Sequence, residues 1–108
     1  MSLRPVEFHV LLALAGEERH GYAILQEVAR LTDGEIELEP GTLYRALHRM
    51  LKDGWIAESS RRPAVDLDDE RRKYYRLTAV GRRIASGEAD RLWRLVAVAR
   101  THRLLSRA

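Results

Sequence analysis

EPGTLYRALHRMLKDG, residues 39–54, is the stretch on which the reading of this chain turns. Wound as a helix, it places Leu43, Ala46, Leu47, Met50 and Leu51 on one face. Arg45, His48 and Lys52 stand opposite, with Thr42, Tyr44 and Arg49 on the flanks. No carboxylate falls between Pro40 and Lys52, whereas solvated helix faces ordinarily mix both signs of charge. A face of one sign suits a polyanion. Pro40 fits the first helical turn, where its missing N–H has no intrahelical partner to lose, and Gly54 supplies the positive φ that ends the helix. The span is about three and a half turns, enough to lie in a DNA major groove. Taken alone it reads equally well as a core helix with a basic back, so its neighbours decide.

Upstream, Pro5 opens a predicted helix that runs to Ala15 and stops at Gly16. Val6, Phe8, Val10, Leu11, Leu12 and Leu14 point in nearly every direction around its axis. Such a helix must be covered on all sides, which predicts help from a second subunit. A second helix is predicted from about His20-Gly21-Tyr22 to Leu31, with Ile24, Leu25, Val28 and Leu31 inward. Thr32-Asp33-Gly34 is a turn, and Glu35 to Leu38 alternates like a very short strand.

Downstream, Trp55–Ser59 and Lys73–Leu77 are β-prone runs joined by a charged tip. That tip carries Arg61, Arg62, the acidic run Asp66 to Glu70, then Arg71 and Arg72. Three helices followed by a hairpin is the order of a winged helix-turn-helix, in which the third helix enters the groove and the hairpin touches the backbone beside it. Thr78 caps a last predicted helix reaching about Leu105, whose Ala85, Ala89, Leu92, Leu95, Val96 and Ala99 form a wide apolar arc with Trp93 at its edge. Gly87 inside it costs up to about 1 kcal/mol against alanine, which suggests a bend or a close contact. The expected fold is therefore mainly α with a small β-hairpin wing: a winged helix-turn-helix over residues 1–77 and a C-terminal dimerisation helix over 78–108.

Composition agrees. A chain of 108 residues makes one small domain, which buries about two-thirds of its unfolded surface and gains from an added interface. The net charge of +3 is unevenly distributed. Residues 1–39 hold three basic and eight acidic side chains, net −5; residues 40–108 hold sixteen and eight, net +8. Seventeen of nineteen basic residues are arginine, whose fork fits phosphate oxygens and guanine edges, although GC-rich coding produces the same excess. Cysteine is absent, which excludes disulfide scaffolds, thiol catalysis and zinc fingers. No run resembles a signal peptide or membrane span, so the expected location is cytoplasmic.

Four segments in order give the chain a resemblance: HGYAI at 20–24, PGTLYRALHRM at 40–50, DGWI at 53–56 and RRKYYRLTAVGR at 71–82. Together they resemble the PadR family of bacterial transcriptional regulators over essentially the whole chain. The resemblance implies a homodimer that binds operator DNA, usually to repress, and is often released by a small molecule. It places Thr42, Tyr44 and Arg45 on the groove-facing motif and Arg72, Lys73 and Tyr74 on the wing. The acidic Asp66–Glu70 run departs from the family's Gly, Pro and Arg at the wing tip, and carboxylates repel phosphates, so wing contacts are expected at its basic base.

The expected DNA contacts are then Thr42, Tyr44, Arg45, His48, Arg49, Lys52, Arg72, Lys73 and Tyr74. The expected dimer interface is Phe8, Leu11, Leu12, Ala89, Leu92, Trp93, Val96 and Ala99. Tyr44 reads either as a phosphate or sugar contact or as a half-buried core aromatic, and His48 as an added donor or a plain exposed residue. Trp93 either lines a pocket for a planar aromatic effector or is an interface anchor, and Trp55 is expected in the core. His20 reads as a helix cap or packed polar residue. The histidines at 9, 20, 48 and 102 lack metal-ligand spacing, and Asp66–Glu70 reads as a solvated loop rather than a Mg²⁺ or Ca²⁺ site. No cofactor and no catalytic grouping is expected. The rival is a winged-helix interaction module that docks an acidic protein on the same basic face.

Overall fold

The computed structural model describes residues 3–59 and 73–106. Its elements are α1 (Pro5–Gly16), β1 (Arg19–His20), α2 (Gly21–Leu31), α3 (Pro40–Lys52), β2 (Ile56–Glu58), β3 (Tyr74–Leu77) and α4 (Ala79–Thr101). The strands form one antiparallel sheet in the order β1-β3-β2, with Arg19 opposite Tyr75 and Ala57 opposite Arg76. This is a winged helix with one long helix appended.

Local chemistry sets the element ends. Pro40 occupies the first turn of α3, and after the Asp53 cap Gly54 turns at φ 78° while the Trp55 amide donates to the Met50 carbonyl at 3.0 Å. His20 is the N-cap of α2, its Nδ1 accepting from the Ala23 amide at 3.2 Å. Thr78 caps α4 by accepting from the Gly81 amide at 3.1 Å, and its hydroxyl lies 2.6 Å from the Gly54 carbonyl. One threonine thus ties the start of α4 to the turn that ends α3.

Leu43, Leu47 and Met50 of α3 meet Val10, Leu11 and Leu14 of α1, Ile24 and Val28 of α2, and Trp55 and Ile56 from the wing in a single core. Full burial of each large apolar side chain contributes about 1.5–3 kcal/mol. Ala85 is buried with this core and Ile84 packs on it, so the first turns of α4 complete the winged unit before the helix extends beyond it.

Several expectations change. Leu11 is 0% exposed within one chain, so it belongs to the protomer core and is unavailable to a dimer interface. Residues 35–38 form no strand: the Ile36 amide is taken by the Thr32 hydroxyl at 3.1 Å, which folds the segment back on the end of α2. A strand forms instead at Arg19–His20, two polar residues with no alternation to mark them. The last helix ends at Thr101, and Arg103 follows at φ 57°. Gly87 faces open space rather than a close neighbour. The tip of the hairpin, including Asp66–Glu70 and Arg72, lies outside the described residues.

The two helical glycines of α4 should therefore respond in opposite directions. A Cβ at Gly81 would run into the Trp55 carbonyl, so Gly81→Ala should destabilise by about 1–3 kcal/mol or more. Gly87→Ala meets nothing and should stabilise by up to about 1 kcal/mol. Urea unfolding at fixed protein concentration measures both.

Candidate nucleic-acid interface

With Leu43, Ala46, Leu47 and Met50 inward, geometry leaves Arg45, His48 and Lys52 on the exposed side of α3. Arg45 lies along the helix, its Nη2 3.4 Å from the Thr42 hydroxyl. Such a contact is weak, so the guanidinium remains available to a stronger acceptor.

The flanks of α3 are held differently. On one, Tyr44 is 44% exposed, and its ring lies so close to Gly21 that a Cβ there would collide with its hydroxyl. One part of the ring therefore packs against the start of α2, and the rest is open to solvent. On the other flank, Arg49 turns inward, its Nε donating to Glu7 Oε2 at 2.8 Å. Glu7 is 4% exposed and also accepts from the Arg4 amide at 3.0 Å. It is the one buried charged side chain among the described residues. Arg49 therefore ties its Nε to a carboxylate inside the fold while 38% of its side chain stays exposed.

An open groove of 680 Å³ separates α3 from the wing. Tyr44, His48 and Lys52 line one wall, Glu58 and Lys73 the other, with Leu47, Leu51 and Tyr75 also lining it. Lys73 and Glu58 sit 3.9 Å apart and largely in solvent, a pairing worth at most about 1 kcal/mol and easily exchanged for a phosphate. Burial, with smaller contributions from Tyr44 and Glu58, raises the Tyr75 phenol above its ordinary pKa, so it stays a neutral donor. Tyr74 is half-buried, its ring edge-on to His20 at 5.3 Å, so this wing residue also braces β3 against β1.

The candidate dimer residues divide. Leu12, Ala89 and Trp93 are exposed, Trp93 at 63%, whereas Phe8, Leu92, Val96 and Ala99 are half-buried. Leu95, Val98 and Leu104 add exposed apolar surface that the arc in the sequence only partly indicated. The Arg100 guanidinium lies 5.8 Å from the centre of the Trp93 ring. Among the described residues no three His, Asp or Glu side chains group as a metal site, and no helix is long and apolar enough to cross a membrane.

Glu7 and Gly21 were the site residues that sequence reasoning missed. Glu7 stood as the lone acid in a helix apolar all round, and Gly21 as part of HGYAI with no partner to explain it. Both gain meaning only through contacts with α3.

A helix with a cationic outer face, beside a small antiparallel wing, defines the winged-helix class. Residues 10–86 match the model of the transcriptional regulator PadR-like family, and the chain belongs to that family. The family is one of transcriptional regulators. The chain is 36% identical over 77 residues to the transcriptional regulator Rv3488 of Mycobacterium tuberculosis, covering 71% of this chain and 65% of that protein. The matched region therefore spans just under two-thirds of that relative. A crystal structure of a PadR family transcription regulator from Clostridium difficile is similar with TM-score 0.71 and 25% identity, covering 93% of this chain and 98% of the other. Bacillus subtilis PadR, solved in complex with operator DNA, shares the fold with TM-score 0.67 and 20% identity, covering 80% of this chain and 47% of that one.

Gly21→Ala should force Tyr44 off the start of α2. Because the obstacle is the outer end of a partly exposed side chain that can swing away, the expected cost is at most about 1 kcal/mol, read as a slightly lower denaturation midpoint with unchanged m-value. Pairing it with Tyr44→Ala, which vacates the space, should recover part of the loss attributable to the clash.

Proposed function

We propose that two copies of this chain bind an inverted-repeat operator in double-stranded DNA and regulate, by repression, the gene beside it. The observation that carries the reading is the exposed one-sign face of α3, fixed from behind by a fully buried stripe. Arg45 is the candidate for a base edge, since its fork pairs with guanine O6 and N7. His48 and Thr42 add shorter donors, while Lys52, Lys73 and the exposed part of Tyr44 reach phosphates and sugars across the groove. Tyr74 supports the wing base beside them, and Arg72 joins this set from outside the described residues. Arg49 is left out because Glu7 holds it.

Dimerisation supplies the second α3. The apolar surface of α4 around Trp93, together with Leu12 and Phe8 of α1, is the surface assigned to it. The segment 78–108 then acts as the dimerisation helix, its first turns also completing the winged core. Two recognition helices one DNA turn apart read half-sites spaced about 10 bp or a multiple. A planar aromatic effector stacking on Trp93 at that interface is the assigned release signal, and the cytoplasm, where operator DNA is found, the assigned location.

Operator fragments selected from random duplex DNA test this directly. Wild-type affinity should fall steeply with salt, by about 0.9 log units per log unit for each phosphate neutralised. Arg45→Ala should weaken operator binding by about 1–3 kcal/mol and relax the preference at one base pair per half-site. Salt-independent affinity, or an unchanged Arg45→Ala isotherm, would contradict the reading and favour docking to an acidic protein.

Trp93 gives a separate test. Trp55 is buried and Trp93 exposed, so quenching by a planar aromatic compound should report mainly on Trp93 and disappear in Trp93→Phe. Equal quenching in the variant would remove the effector assignment while leaving DNA binding intact.

A further inference from the structure

We infer that the Glu7–Arg49 ion pair positions α3, setting the rotation at which its outer face meets DNA; the inference rests on the DNA-binding reading above. At 100° per residue, Arg49 and Tyr44 fall on opposite flanks of the buried stripe formed by Leu43, Leu47 and Met50. Tyr44 is stopped by the glycine at the start of α2, and Arg49 is drawn to Glu7 of α1, forty-two residues away in sequence. Apolar packing alone is forgiving about rotation, because neighbouring side chains can repack with little loss. A charge-assisted bond to a carboxylate out of water is not, since it requires one distance and one direction.

The environment of Glu7 supports a positioning role. Its Oε1 takes the Arg4 amide and its Oε2 takes Arg49, while its side chain is nearly sealed from solvent. Desolvating a carboxylate offsets most of what its ion pair gains, so an apolar pair here would hold the fold together equally well. What the apolar pair lacks is direction. Glu7 lies on the same helix as Phe8 and Leu12, which makes α1 the common support of the assigned dimer surface and of the recognition helix. Arg45 sits one turn before Arg49 on α3, so a rotation of α3 released by losing the pair moves the reading residue directly.

The double variant Glu7→Gln/Arg49→Met removes both charges and keeps an acceptor for the Arg4 amide. In the DNA-free protein, amide hydrogen exchange across residues 40–52 should rise at least tenfold while α2 stays protected. Against a selected operator its affinity should drop at least tenfold, whereas affinity for unrelated duplex and the salt slope should stay within twofold and within error of wild type. Glu7→Gln alone, a milder change at a residue sealed behind α3, should shift both readouts in the same direction and serves if the double variant does not fold. Unchanged exchange in α3, or full operator affinity in either variant, would overturn the inference. So would an equal fall on operator and unrelated duplex with a shallower salt slope, which marks Arg49 as a direct phosphate contact. A wild-type protein that selects no duplex DNA would refute the regulator reading instead, and the exchange measurement would still decide whether the pair holds α3.

Discussion

The thirteen residues of α3 must hide one stripe and expose another, and everything else in the molecule follows from how that division is enforced. Leu43, Ala46, Leu47 and Met50 lose essentially all contact with water against α1, α2 and the wing. At about 1.5–3 kcal/mol for each large side chain, this burial outweighs any surface ion pair by severalfold. It therefore decides which face points out. The cations on the outer face need not stabilise the fold, and they can be kept free of carboxylate partners for another purpose.

Around that helix the remaining elements act as supports. Thr78 joins α4 to the turn after α3, and Gly81 lets the Trp55 carbonyl approach α4 closely. His20 caps α2 while its ring meets Tyr74 on β3, so the entrance to the second helix and the base of the wing share one contact. The groove between α3 and the wing is consequently bounded by elements that are tied together at several points. A nucleic-acid backbone entering it would meet Lys52 and Lys73 from opposite sides.

How much of this was legible in the sequence depends on the range of the interaction. The 3.6-residue period of α3, the Pro40 start, the Gly54 stop and the Thr78 cap are local, and each stands where the residues placed it. What escaped was set by partners far along the chain. Arg19 and His20 become a strand only because β3 offers them a free edge. Leu11 could be assigned outward or inward from a helix apolar all round, and only the placement of α2 and α3 against α1 seals it. Arg49 has the helical position of a DNA contact and also the tertiary position of a half-buried ion pair, forty-two residues from its acid. A residue pattern carries the first kind of information and not the second.

Hydroxyl-radical footprinting of the purified protein on its selected duplex tests the central claim most directly. Paired cationic helices related by a twofold axis should leave two equivalent protected windows with centres about one helical turn apart, or a multiple of that. A single window, or cleavage identical to free DNA at concentrations that saturate the protein, would contradict the account.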